Sequence, residues 1–233
     1  VANWDGKWQP NDLGSIWMVD DPLLRKSERR KQVAKLLRGD FGSHINSFLV
    51  NLLAHPDQRV RLEAQFELAK RNRFDELLAL VTNPEEDRLA RVHAMWGLGQ
   101  IAPDKQRNEH LIKRLPFADN DPEIRAQVAK LAGARALKTA ASRLVDMLHD
   151  ENARVQFHAA LALGQTGNND TTSHLVALLD RNNDKDAYIR HAAIMGLAGS
   201  AHPEQLTALN AHNTAAVRAA AVATLRRLRH SGV

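Results

Sequence analysis

The 233 residues include no cysteine. That absence excludes disulfides, thiolate nucleophiles, thiolate zinc sites, iron–sulfur clusters and covalent haem attachment together. Aromatic residues are scarce at 5%, and no run approaches the roughly 18 apolar residues that would span a bilayer. No secretory leader is expected, and a start at Val1 rather than methionine points to processing or excision. There is no GxSxG, no phosphate-cradling GxxxxGKS, no GxGxxG and no HExxH. No catalytic residue, cofactor, metal or small-molecule substrate is therefore expected. What is present, 44% hydrophobic and 25% charged residues, is ordinary for a protein with a buried core.

Charge and tryptophan are unevenly placed. Between Arg25 and Arg38 stand seven bases (Arg25, Lys26, Arg29, Arg30, Lys31, Lys35, Arg38) against Glu28, so the chain's net charge of +5 comes from this one segment. Trp4, Trp8 and Trp17 share the first 17 residues with Gly6, Pro10 and Gly14, and Ile16 to Val19 reads as a single short strand in a turn-rich stretch. From about residue 23 the apolar spacing becomes i, i+3, i+4 and stays helical to the end. Leu23, Leu24, Val33, Leu36 and Leu37 are the apolar members of the basic helix, with Gly39 as its stop.

The dominant feature is an internal repeat. Leucine-rich half-units begin at Leu49, Leu77, Leu111, Leu144, Leu175 and Leu206, and each is followed by a second half that aligns on Arg61, Arg91, Arg125, Gln156, Arg190 and Arg218. One position before the aligned residue is aliphatic or Ala, the third after is Ala or Val, and the seventh after is Leu or Ala. Steps of four keep these on one helical stripe, small in the middle so that another helix can come close. Four positions before it stand Asp57, Asp87, Asp121, Asn152, Asp186 and Thr214, all good N-cap residues. Gly99, Gly133, Gly164 and Gly199 read as helix stops. The expected fold is all-α: an α-α superhelix of about six two-helix repeats over 44–233, a basic capping helix over 23–43, and an extended segment over 1–22.

The polar cap followed by Val-Arg, then Ala and Leu at helical spacing, resembles short bacterial HEAT repeats over about residues 44 to 230. A second resemblance is carried by Asn3-Trp4-Asp5-Gly6-Lys7-Trp8 and Asn11 to Val19, by His55 to Ala69, and by His93-Ala94-Met95-Trp96-Gly97-Leu98-Gly99-Gln100. These stretches resemble the junction and HEAT segment of large quinoprotein-like dehydrogenases of planctomycete-type bacteria, in which a β-propeller precedes HEAT repeats and a cytochrome c domain usually follows. The resemblance implies that this chain is the non-catalytic middle of a longer oxidoreductase, exported or periplasmic. Nearly the whole propeller is missing here, as is any CxxCH.

Four sets of residues are candidates for function. Two positions after the aligned residue stand Glu63, His93, Gln127 and His158, a polar ladder across neighbouring second helices; His93 and His158 are too far apart along the stack to share a metal. Five positions after it stand Phe66, Trp96, Lys130, Leu161 and Met195, either an exposed surface for a protein partner or a second stripe buried by neighbours. Arg61, Arg91, Arg125, Arg190 and Arg218 either reach a turn carboxylate of the adjacent unit or line a groove for an acidic ligand, and their recurrence favours the structural ladder. The basic helix caps the stack or, with Arg226, Arg227 and Arg229, holds a nucleic-acid backbone; no aromatic interleaves it to stack on bases. The expected role is a binding or scaffolding module, with nucleic-acid binding as the alternative.

Overall fold

The structure, a computed structural model, describes residues 21–24 and 26–229 and the backbone at 2–3 and 15–16. The chain divides into two compact units, Val1–Ser43 and His44–Val233. In the first, β1 (Ala2–Asn3) pairs antiparallel with β2 (Ser15–Ile16), Ala2 opposite Ile16; of the expected strand Ile16 to Val19, residues 17–19 lie outside the described residues. Trp4, Trp8, Trp17 and Arg25 lie outside the described residues. Helix α1 (Glu28–Arg38) starts later than expected: Leu23 and Leu24 precede it in a turn, Leu23 92% exposed, and of the apolar members only Val33 is buried.

The second unit is an α-α solenoid of six helix pairs. In chain order these are α2 (Asn46–Leu52) with α3 (Gln58–Lys70), α4 (Phe74–Thr82) with α5 (Arg88–Gln100), α6 (Lys105–Arg114) with α7 (Pro122–Ala134), α8 (Ala141–Met147) with α9 (Ala153–Thr166), α10 (Thr172–Asn182) with α11 (Ala187–Ser200), and α12 (Pro203–Ala208) with α13 (Ala215–Arg227). The second helices of consecutive pairs pack in series, α3 on α5 through to α11 on α13. Their shared stripe is buried throughout, from Val60, Ala64 and Leu68 in α3 to Val217, Ala221 and Leu225 in α13. The first helices add Leu49, Leu77, Leu111, Leu144, Leu175 and Leu206 from the other side. Each such leucine contributes about 1.5–3 kcal/mol by leaving water, so the core is continuous although no pair could bury its own stripe.

Caps set where the second helices begin. Asp57, Asp87, Asp121, Asn152 and Asp186 each accept a first-turn backbone N–H, a bond worth about 1 kcal/mol apiece. Thr214 occupies the same position without capping. Its hydroxyl proton goes to the Asp180 carboxylate at the end of α10, a stronger acceptor than any group of its own turn.

The glycines do more than stop helices. Gly99, Gly133, Gly164 and Gly199 are helical residues in the last turns of α5, α7, α9 and α11, one or two positions before each helix ends. A Cβ on Gly164 would stand 2.8 Å from the Gly196 Cα, and one on Gly133 would stand 2.8 Å from the Ala162 Cα. Two helix backbones touch there, and no side chain fits between them. The left-handed stop of α9 is Gly167 instead, with φ +64°.

Candidate functional site

Each pair is joined by a turn whose polar groups need partners, and the aligned residue supplies them. Arg61 Nη1 donates to the carbonyls of His55 and Pro56 at 2.7 and 3.0 Å, Arg125 Nη1 to those of Asp119 and Asn120 at 2.8 and 3.1 Å, and Arg218 Nη1 to those of His212 and Asn213 at 2.6 and 2.9 Å. Gln156 Nε2 repeats the first of these bonds on the Asp150 carbonyl at 2.6 Å. The same turns are closed by a side chain two residues before the cap: His55, Asp119, Asp150 and His212 accept the backbone N–H of Asp57, Asp121, Asn152 and Thr214. A planar guanidinium fork suits two carbonyls that diverge from one turn, which explains why arginine recurs here.

A ladder reaching every adjacent unit is not what forms. Only two arginines meet a carboxylate of the next pair: Arg91, whose guanidinium also holds the Val81 carbonyl, meets Asp119, and Arg125 grips Asp150 with bonds of 2.6 and 2.8 Å. The Arg125 bonds hold the Asp150 carboxyl below the usual carboxylate range, and Asp150 in turn raises Arg125. Arg190 stays with Asp184 of its own turn at 3.1 Å, Arg218 bonds only carbonyls of its own turn, and Arg61 holds its own turn through Nη1 while its Nε points to the next pair.

On the face of the second helices, residues at two before, two after and five after the aligned position fall on one stripe. Their polar members are joined in rungs. Arg61 Nε donates to His93 Nε2 at 3.0 Å, which leaves the ring neutral with its Nδ1–H donated to Gln65 Oε1 at 2.8 Å. The His93 ring meets Trp96 edge-on at 4.8 Å, and Trp96 Nε1 donates to Gln127 Oε1 at 2.9 Å. Gln127 Nε2 donates to Glu123 Oε1 at 2.8 Å, and Arg154 Nε donates to Glu123 Oε2 at 2.8 Å. One chain of polar contacts thus runs from α3 to α9.

The candidate surface divides accordingly. Glu63, Phe66 and Lys130 are exposed, and Trp96, His158 and Leu161 are half-buried. His93 and Gln127 are buried, His93 to 2% exposure, so neither is available to a partner. Both are taken by the neighbouring helix, because the close approach of second helices covers the position two after the aligned residue. Burial, and then the Arg61 charge, pull His93 down to about 4. His158 is lowered in the same direction by burial, with Arg154 and Lys130 adding to it, and its Nε2 has no hydrogen-bond partner among the described residues. Among those residues no three His, Asp or Glu side chains converge on a site for a metal ion. Of the basic segment, Lys26, Arg29, Arg30, Lys31, Lys35 and Arg38 are exposed, with Lys31 bonded to Glu28 at 2.7 Å.

Several functional neighbours escape a reading of the sequence. Leu89 and Tyr188, two before the aligned position, are exposed on the same stripe as Phe66, Tyr188 to 77%. Gln65 is the one polar residue in a column otherwise filled by Met95, Ala129, Ala160, Ile194 and Val222, a signal that its side chain has a polar partner. Arg71 and Arg135 share the position ten after the aligned residue and reach back to the preceding loop: Arg71 to the His44 carbonyl at 2.7 Å, and Arg135 to those of Leu98 and Ile101.

Comparison with known proteins agrees with this architecture. A family model for HEAT repeats matches residues 108–198. The crystal structure of an engineered protein from a structural genomics consortium is similar at 21% identity and a TM-score of 0.50, over 79% of this chain and 96% of that one. At that identity the likeness shows the fold alone. A comparison with curated proteins finds no match. The chain is an α-solenoid whose residues 108–198 are similar to HEAT repeats. No described helix is long and apolar enough to cross a membrane.

Proposed function

We propose that the solenoid is a non-catalytic interaction module that presents the stripe of its second helices to a protein or a neighbouring domain. The observation that carries this reading is the exposure of Phe66, Leu89 and Tyr188 on one stripe, with Trp96 and Leu161 half-exposed between them. Large apolar and aromatic side chains left in water on an ordered surface are what partner interfaces use as anchors. The rungs below them hold the backbone in one register, so that little ordering entropy is lost on binding. Glu63 and Lys130 stand exposed among the anchors and supply polar contacts of both signs.

The dehydrogenase resemblance supports a particular partner, a β-propeller of the same longer protein, with residues 1–22 as the connection. In that setting the solenoid contributes shape and charge, and the chemistry belongs to the propeller. A photo-crosslinking amino acid placed at position 66 or 188 of the natural gene product tests both levels. Crosslinks to one defined polypeptide from these two positions, and none from exposed position 204 on α12, are expected. Crosslinks internal to a band far above 25.9 kDa would identify a neighbouring domain. Equal capture from all three positions would overturn the reading.

A further inference from the structure

The turns joining α4 to α5, α6 to α7 and α8 to α9 surround an open depression of about 1110 Å3. Its walls are apolar at Leu115, Pro116, Phe117 and Met147. Arg143 lies over the Phe117 ring at 5.1 Å and donates to the Ile112 carbonyl at 2.5 Å, so its guanidinium is held against the wall. A second depression of about 420 Å3 adjoins it and shares Pro84 and residues 118–120. Seven carboxylates and four guanidiniums line the two, a local charge of −3. Asp119 and Asp150 are already neutralised by Arg91 and Arg125. Glu85, Glu86, Asp146 and Glu151 form no salt bridge among the described residues, although Glu151 lies close enough to Arg125 to be felt by its charge. An apolar trough rimmed by unpaired carboxylates repels anions and suits a segment that carries bases beside exposed aliphatic side chains.

This sequence contains such a segment. Residues 26–38 hold six bases and one acid, and Lys35 and Arg38 are exposed on α1. Leu23 and Leu24, just ahead of the helix, are both exposed, an arrangement that wastes apolar surface unless something covers it. Charge and apolarity are complementary in both respects.

We propose that the trough binds the 23–38 segment of a second copy of this chain, with Leu23 and Leu24 against Phe117 and Met147 and the bases over Asp146, Glu151, Glu85 and Glu86. The two surfaces differ, so the contact is head-to-tail, and a pair of copies keeps one free trough and one free basic segment. Association therefore extends beyond two copies. It weakens with salt, because both surfaces are open to solvent. This surface is separate from the second-helix stripe, and its test reads independently of that reading.

Sedimentation velocity of the full chain in about 50 mM and about 500 mM salt, over a concentration series, is the measurement. The native chain is expected to associate progressively at low salt and to return to 25.9 kDa at high salt. A trough variant carrying Asp146→Lys and Glu151→Lys, and a helix variant carrying Lys35→Glu and Arg38→Glu, are each expected to associate at least tenfold more weakly. All four positions are exposed, so unchanged far-UV circular dichroism and melting are expected. Mixed one to one, the variants keep one intact trough and one intact basic segment between them. They should form a dimer that grows no further. A native chain that stays monomeric at low salt overturns the proposal, as does association that neither variant weakens or a mixture that forms no dimer. Capture of octalysine by a chain that remains monomeric would assign the trough to a foreign basic segment and equally overturn it.

Discussion

The two halves of the solenoid are held by different means. From α3 to α7 the second helices are joined by buried polar side chains: Arg61 to His93, His93 to Gln65, and Trp96 to Gln127. From α7 to α11 the helices come so close that glycine is needed between them, Gly133 against Ala162 and Gly164 against Gly196, with the half-exposed Glu123–Arg154 pair as a side-chain link from α7 to α9. The first half depends on polar groups with correct partners and protonation, whereas the second depends above all on nothing being added. The same repeat geometry therefore tolerates two chemistries, one sensitive to pH and the other to volume.

The largest effect expected from breaking this contrast is at Gly164. Gly164→Ala places a methyl against helix backbone, which cannot swing away, and should cost about 3 kcal/mol in urea unfolding. A cost under about 0.5 kcal/mol would show that the backbones are not in contact. Next is acidification. The unfolded chain binds a proton on this histidine near 6.5, but native His93 binds one only near 4. Between those values the unfolded state holds more protons, so stability is present above 6.5 and declines as pH falls towards 4. About 2 kcal/mol should be gone at pH 5. Hydrogen exchange should place the loss in α3 and α5, and a His93→Gln variant should lose most of the dependence. Gln65→Ala, which leaves the buried His93 N–H without an acceptor, should cost about 1.5 kcal/mol and leave exchange in α9 and α11 unchanged. Smallest is Gly99→Ala. Its Cβ would meet only Leu131 Cδ1 at 3.6 Å, an ordinary contact, so this helical glycine should gain about 0.5–1 kcal/mol on replacement, opposite in sign to Gly164.

That pair of glycines shows where a sequence stops being informative. Gly99 and Gly164 hold the same place in the repeat, and a glycine there reads equally well as a helix stop or as a close approach. The choice depends on the neighbouring helix, which for Gly164 brings Gly196 and for Gly99 brings Leu131. Caps and the buried stripe were legible because both depend on residues within two helical turns of one another. The rungs were only half legible: the column containing His93 and Gln127 was visible, but its partners Gln65 and Trp96 lie in other columns, at offsets set by the approach of two helices. Leu23 and Leu24 misled because their spacing suits a helix that in fact begins at Glu28.

The arginines that hold the turns also bear on how such a chain can be rearranged. A pair whose arginine serves only its own turn, as at Arg218, could be duplicated, deleted or moved without breaking an ion pair of that arginine. Arg91 and Arg125 instead lend their charge to the following pair, so a break after either would strand Asp119 or Asp150. The three pairs from α4 to α9 are thus tied by ion pairs into a block that recombination can shift only as a whole, while no arginine of this set binds the later pairs to it.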